Sequence, residues 1–273
     1  MHQVIPIQTL HLFAVLDDLL ITLLNSLSPD EWNKPTLARL WTVKDIAAHL
    51  LDGNVRGIAA SQGYEPPISK AIHSYQDLID FLNELNAGWV KAMKRVSPAL
   101  LTEQLATTGK QYIEYLRTLD PFAPAKYAVA WAGEEQSYNW FHIAREYTEK
   151  WHHQQQIREA VGRTAPLMAP ELFDPCMATF MCALPHAYRN VDASTGVVIR
   201  FMIGSNQWFL EKLETNWAFT QNKDANATIT LQPKTAWKLF TKAITPQAAA
   251  ADIVIEGDTY LAKGILNMVA VMA

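Results

Sequence analysis

Near residue 193 the apolar residues of this chain change their spacing, from a period close to 3.6 to a period of two. Helices bury a stripe and half-buried strands bury alternate residues, so one packing scheme cannot serve both parts. The pattern predicts a mainly α N-terminal bundle over 1–165, a helical connector over 166–192 and a small α+β domain over 193–273. With 273 residues and 49% hydrophobic content, the chain can bury one large core or two modest ones.

Within the first part, Leu12, Leu16, Leu19, Leu20, Leu23 and Leu27 recur at helical spacing and predict a helix over 8–27, stopped by Ser28-Pro29-Asp30-Glu31. Thr42-Val43-Lys44-Asp45 has the form of a capping box opening a helix to Ala60, with His49 in its second turn. Gly63 and Pro66-Pro67 mark a loop. Ser74-Tyr75-Gln76-Asp77 then opens a helix with Leu78, Leu82, Leu85, Trp89 and Met93 on one face. Ser97-Pro98 starts another, with an interruption expected around Thr107-Thr108-Gly109 and closure at Asp120-Pro121. Residues 122–136 read as loop, and Ser137 to Val161, free of proline and glycine and followed by Gly162, as the last bundle helix. A further helix is expected over 171–189. Beyond it, Val197, Ile199, Phe201 and Ile203 alternate, Thr228–Leu231 and Ile253–Ile255 add strands, and helices are expected over 234–243 and 259–271.

Several function classes are excluded early. A net charge of -4 without a Lys/Arg-rich block offers no track for a phosphate backbone, so no nucleic-acid partner is expected. Asp17 and Asp18 interrupt the leucine-rich start and no basic segment precedes it, so neither a signal peptide nor a membrane span fits, and a cytoplasmic location is expected. The two cysteines, Cys176 and Cys182, read as free thiols in an apolar helical segment.

Glu149 and His153 lie four apart in the last bundle helix, with Cβ atoms on the order of 5–6 Å apart, so one ion can be reached by both. Zinc accepts imidazole nitrogen and carboxylate oxygen, and a third ligand would come from another helix. Spacing alone is a weak signal, because 8 histidines among 27 acidic residues give about 0.8 acid-x3-His pair by chance. The chain has two, Asp45/His49 and Glu149/His153. Such pairs equally suit solvated helix faces or a core histidine bonded to a carboxylate.

Resemblance narrows the choice. The stretch Trp41-Thr-Val-Lys-Asp-Ile-Ala-Ala-His49-Leu-Leu-Asp resembles the second helix of the mycothiol-dependent maleylpyruvate isomerases, within the DinB-like superfamily of metal-binding four-helix bundles. Arg145-Glu-Tyr-Thr-Glu149-Lys-Trp-His-His153-Gln-Gln-Gln156, with Gly162 nine residues after His153, resembles the E-x3-H helix of that family. Trp131-Ala-Gly133 is similar to the segment ahead of it, and Thr228-Ile-Thr-Leu, Trp237-Lys-Leu-Phe and Ile253-Val-Ile-Glu-Gly257 to its sterol-carrier-like C-terminal domain. The resemblance implies one divalent, zinc-type metal held by His49, Glu149 and His153. It also implies a low-molecular-weight thiol and a small-molecule substrate, in a metal-dependent isomerase or S-transferase. Two positions depart from the pattern: Gln156 stands where relatives often carry an aspartate, and no arginine follows Arg200. The same scaffold could serve a metal-dependent hydrolase, or an apolar-ligand binder with a structural metal.

Residues near these ligands have simpler readings. His152 points about 100° away from His153 around the helix and reads as a surface or core histidine. His142 lies on the face of Glu149 and reads as hydrogen-bonded, with lining of the pocket as the alternative; Asp45, one turn before His49, is explained by its cap, with orientation of His49 as the alternative; Trp41 and Trp131 read as packing residues.

Overall fold

The structure, a computed structural model, describes residues 6–65, 70–221 and 224–272. The expected loop residues Pro66-Pro67 lie outside these. The chain forms two compact units that interleave in sequence. One is built chiefly from Thr9–Asp120 and Glu149–Ala169, the other from Pro121–Thr148 and Pro170–Val271. This grouping is not a cut in sequence order: 121–148 belongs with the later residues.

The first unit is helical. A 3-10 turn, Leu10–Leu12, leads into α1 (Phe13–Asn25), and four-residue α2 (Pro29–Trp32) follows. Ser28-Pro29-Asp30-Glu31 was expected only to stop the chain. It starts α2 instead, because Ser28 and Glu31 bond each other's backbone amides as a capping box and Pro29 suits the first turn. Next come α3 (Val43–Ser61), capped by Thr42, α4 (Tyr75–Met93), capped by Ser74, and α5 (Pro98–Thr118), capped by Ser97. The long helix α6 (Asn139–Val161) supplies residues from Glu149 onward. Leu20, Leu24, Trp32, Ile46, Leu101 and Ile157 share one buried cluster.

Helix α5 runs unbroken through Thr107-Thr108-Gly109, against the interruption expected there. Gly109 is present for space: it lies on the buried face of α5, and a Cβ there would collide with the Asp17 carboxylate. Asp17 in turn accepts from Lys150 Nζ at 2.7 Å.

The second unit carries α7 (Pro170–Met181), α8 (Leu184–Ala187) and a five-stranded sheet. The helix expected over 171–189 is therefore two, parted just before Pro185, which cannot continue the amide ladder. Strands β1 (Val198–Ile203), β2 (Asn206–Lys212), β3 (Trp217–Phe219), β4 (Ala227–Leu231) and β5 (Ile253–Gly257) lie in the order β3-β2-β1-β4-β5. All neighbours are antiparallel except β1 and β4, where Phe201 is opposite Ile229 in parallel register. Helices α9 (Pro233–Phe240) and α10 (Pro246–Ala249) link β4 to β5. Ile199, Phe201, Ile203, Ile229 and Leu231 are buried with Trp237 and Phe240 of α9, as strand alternation requires.

The helix expected over 259–271 is reduced to a 3-10 turn, Thr259–Ala262, and one turn, α11 (Lys263–Leu266). Tyr188 explains this: its hydroxyl donates to Leu261 O and accepts from Ile265 N, and its ring lies where a Cβ on Gly264 would be. The chain then turns so that Ala270 N donates to Phe240 O at 2.9 Å. No helix of the described residues is long and apolar enough to cross a membrane.

On an exposed helix, Gly109→Ala would stabilise by about 1 kcal/mol through propensity. Here the added methyl meets Asp17, so we expect a loss of about 1–3 kcal/mol in chemical denaturation.

Candidate metal centre

The positions of the three donors follow from local structure. The Thr42 hydroxyl accepts from Asp45 N, and the Asp45 carboxylate accepts from Thr42 N at 3.0 Å, which sets the start of α3 and brings His49 into its second turn. From α4, Trp89 Nε1–H donates to Ala48 O at 2.8 Å, holding α3 beside His49. The spacing on α6 puts Glu149 and His153 on one face, with His153 Nε2 3.5 Å from Glu149 Oε2. One donor atom from each of His49, Glu149 and His153 lies within 4.8 Å of the other two. Among the described residues no other group of three such side chains converges this way.

The rings are closely packed. The His49 and His153 centroids are 4.6 Å apart, edge to face, and the Trp41 ring lies 4.8 Å from His49 and 6.2 Å from His153. His152 is buried, with its ring 3.9 Å from that of His153, so it supports its neighbour and stands outside the donor set. Gln156 Oε1 is 2.9 Å from His153 Nδ1. An amide oxygen only accepts, which assigns the proton to Nδ1.

These residues fit a divalent ion. With Nδ1 protonated, a neutral His153 turns the lone pair of Nε2 towards a carboxylate oxygen 3.5 Å away, and two facing acceptors need a proton or a cation between them. Two ligands on a tetrahedral zinc, each about 2.0–2.2 Å from it, are roughly 3.3–3.6 Å apart. His49 Nδ1 is also buried with no hydrogen-bond partner. Burial, and the nearby His153, hold the His49 imidazole well below its usual pKa, so it is neutral. Burial pushes the Glu149 pKa up, but the adjoining His153 ring, and the charges that His152, His153 and His49 carry when protonated, outweigh it and leave the carboxyl well below its ordinary range. Both groups thus sit in the protonation state a metal requires.

The remaining sequence candidates have other partners. The Asp45 carboxylate is occupied by Thr42 and by Lys94 Nζ at 2.6 Å, so it caps α3 and does not orient His49. Trp131 is buried edge to face on Phe141, a packing role. Cys176 and Cys182 are not joined in a disulfide. His142 Nδ1 lies 2.7 Å from Arg145 Nη2, which also donates to Glu146 Oε1 at 2.8 Å. Burial above all, together with Arg145, drops the His142 pKa to about 4, while Glu146 works in the opposite direction.

A depressed histidine pKa has a definite sign. Between the unfolded value of 6.5 and the folded value of about 4, the unfolded chain binds the extra proton. The neutral His142 is therefore fully compatible with folding above pH 6.5, and stability falls as pH drops through that window, by up to about 3 kcal/mol. We expect an NMR midpoint near 4 for His142, and a smaller acid-induced loss of stability in His142→Gln.

Residues 13–158, more than half of the chain, match the family described as the mycothiol maleylpyruvate isomerase N-terminal domain. Among curated proteins none matches the sequence significantly. Among solved structures, the mycothiol-dependent maleylpyruvate isomerase superposes with a TM-score of 0.56 at 12% identity, covering 94% of this chain and 96% of the other. A histidine-to-alanine variant of the same enzyme gives 0.57 at 11% identity over the same shares. At such identities the likeness speaks for the fold, and the match over residues 13–158 shows that the chain belongs to the mycothiol maleylpyruvate isomerase N-terminal domain family.

Proposed function

We propose that this protein holds one divalent, zinc-type ion through His49, Glu149 and His153. With a low-molecular-weight thiol, it isomerises small unsaturated acids or transfers the thiol to small electrophiles. The observation that carries this reading is the 3.5 Å gap between His153 Nε2 and Glu149 Oε2, with a His49 nitrogen within 4.8 Å of both. The chemical class rests on the family, whose description names both mycothiol and maleylpyruvate isomerase.

The chain's own residues would do the following. His49, kept neutral by burial, offers a nitrogen without first losing a proton. Glu149, kept ionised, supplies the one negative charge. Gln156 holds His153 with the Nε2 lone pair free to bind an ion. Trp41 covers one side of the two imidazoles and limits water there. When bound, an ion with these ligands carries a net charge of about +1 and strongly acidifies a thiol in its open position. The thiol, not a side chain, is then the nucleophile, and the three ligands move no protons.

Elemental analysis at a pH where imidazole is neutral should find about one equivalent of zinc or a similar ion in the parent, and a clear loss in His153→Ala and Glu149→Ala. Turnover of cis-unsaturated keto acids should require added thiol. A metal-free parent would sink the reading, and ester or amide turnover without thiol would replace it with hydrolysis.

A further inference from the structure

We infer that Gln156 is a positioning residue that decides which nitrogen of His153 faces the metal; the inference rests on the metal reading above. Gln156 is 4% exposed and lies one turn after His153 on α6, its Oε1 2.9 Å from Nδ1. A neutral imidazole carries one proton on either of two nitrogens, and only the bare one can ligate. The rings of His152, His49 and Trp41 fix where the imidazole lies, at 3.9, 4.6 and 6.2 Å. Ring stacking does not distinguish one nitrogen from the other. The amide oxygen does, because it can satisfy only an N–H. With Nδ1–H engaged, Nε2 is the nitrogen left towards Glu149 Oε2.

An acceptor behind a ligating histidine fixes its tautomer and orientation, and its loss typically weakens metal affinity by 10- to 100-fold. Gln156 would do this as a neutral amide. The donor set keeps the single charge of Glu149, and the proton on Nδ1 has no carboxylate to move to.

The test is zinc affinity by chelator competition, with the absorption of the cobalt-loaded protein reporting the geometry of the ligands. Far-UV circular dichroism of each metal-free variant checks folding. Gln156→Met, which keeps the length and removes the acceptor, should bind zinc about 10- to 100-fold more weakly and change the cobalt spectrum. Gln156→Ala is read the same way should the methionine variant not fold. Gln156→Glu restores an acceptor and should keep affinity within a few-fold of the parent. Unchanged affinity in Gln156→Met, or equal losses in Gln156→Met and Gln156→Glu, would overturn the inference while zinc binding by the parent, lost in His153→Ala, left the metal reading standing. A parent that binds no zinc would overturn both.

Discussion

From Glu149 onward, helix α6 is buried on nearly every side while carrying amides, imidazoles and charges, and each of these groups needs a partner away from water. The partners fix where the helix lies. Lys150 reaches Asp17 of α1, and Trp151 Nε1–H donates to Leu167 O. With its amide oriented to satisfy both ends, Gln154 donates to Leu16 O and accepts from Leu20 N, entering the amide ladder of α1 itself. Arg158 Nη2 donates to Leu19 O, and Arg163, just past the helix, donates to Ser26 and Glu31. A slip or rotation of α6 would leave several of these groups unpaired, each at a cost of about 1–3 kcal/mol. Glu149 and His153 inherit that fixed register.

The site uses the same restriction for chemistry. A carboxylate and two imidazoles held close together would ordinarily compete for protons. Here burial favours the neutral form of His49, while the surrounding imidazoles favour the ionised form of Glu149. Asp45 and Lys94 stand apart from this arrangement and stabilise the start of α3.

Where a feature depends on neighbours in sequence, it was legible. The Thr42 and Ser74 caps, the pairing of Glu149 with His153 and the alternation of β1 and β4 are local patterns, and the helices and strands begin and end close to them. Features that depend on distant residues were not legible. Gly109 reads as a helix breaker until Asp17 is seen beside it, and residues 259–271 read as one helix until Tyr188 claims the turn at Gly264. The convergence of His49 with α6 was reachable only by resemblance, since no spacing within the chain encodes it. Gln156 read as a departure from pattern, although an amide three residues after a histidine is a signal that the local helix geometry could have supplied.

The order of the donors along the chain has a further consequence, for biosynthesis. His49, Glu149 and His153 all precede β1, and the helical unit needs little beyond Ala169, whereas the sheet cannot close before Gly257 is made. At about 5–20 residues per second, the ribosome takes roughly 4–18 seconds to cover that interval of about 90 residues. During it His49, Glu149 and His153 can already be brought together on the nascent chain while the sheet is still incomplete. The candidate site therefore lies wholly within the unit that can fold first.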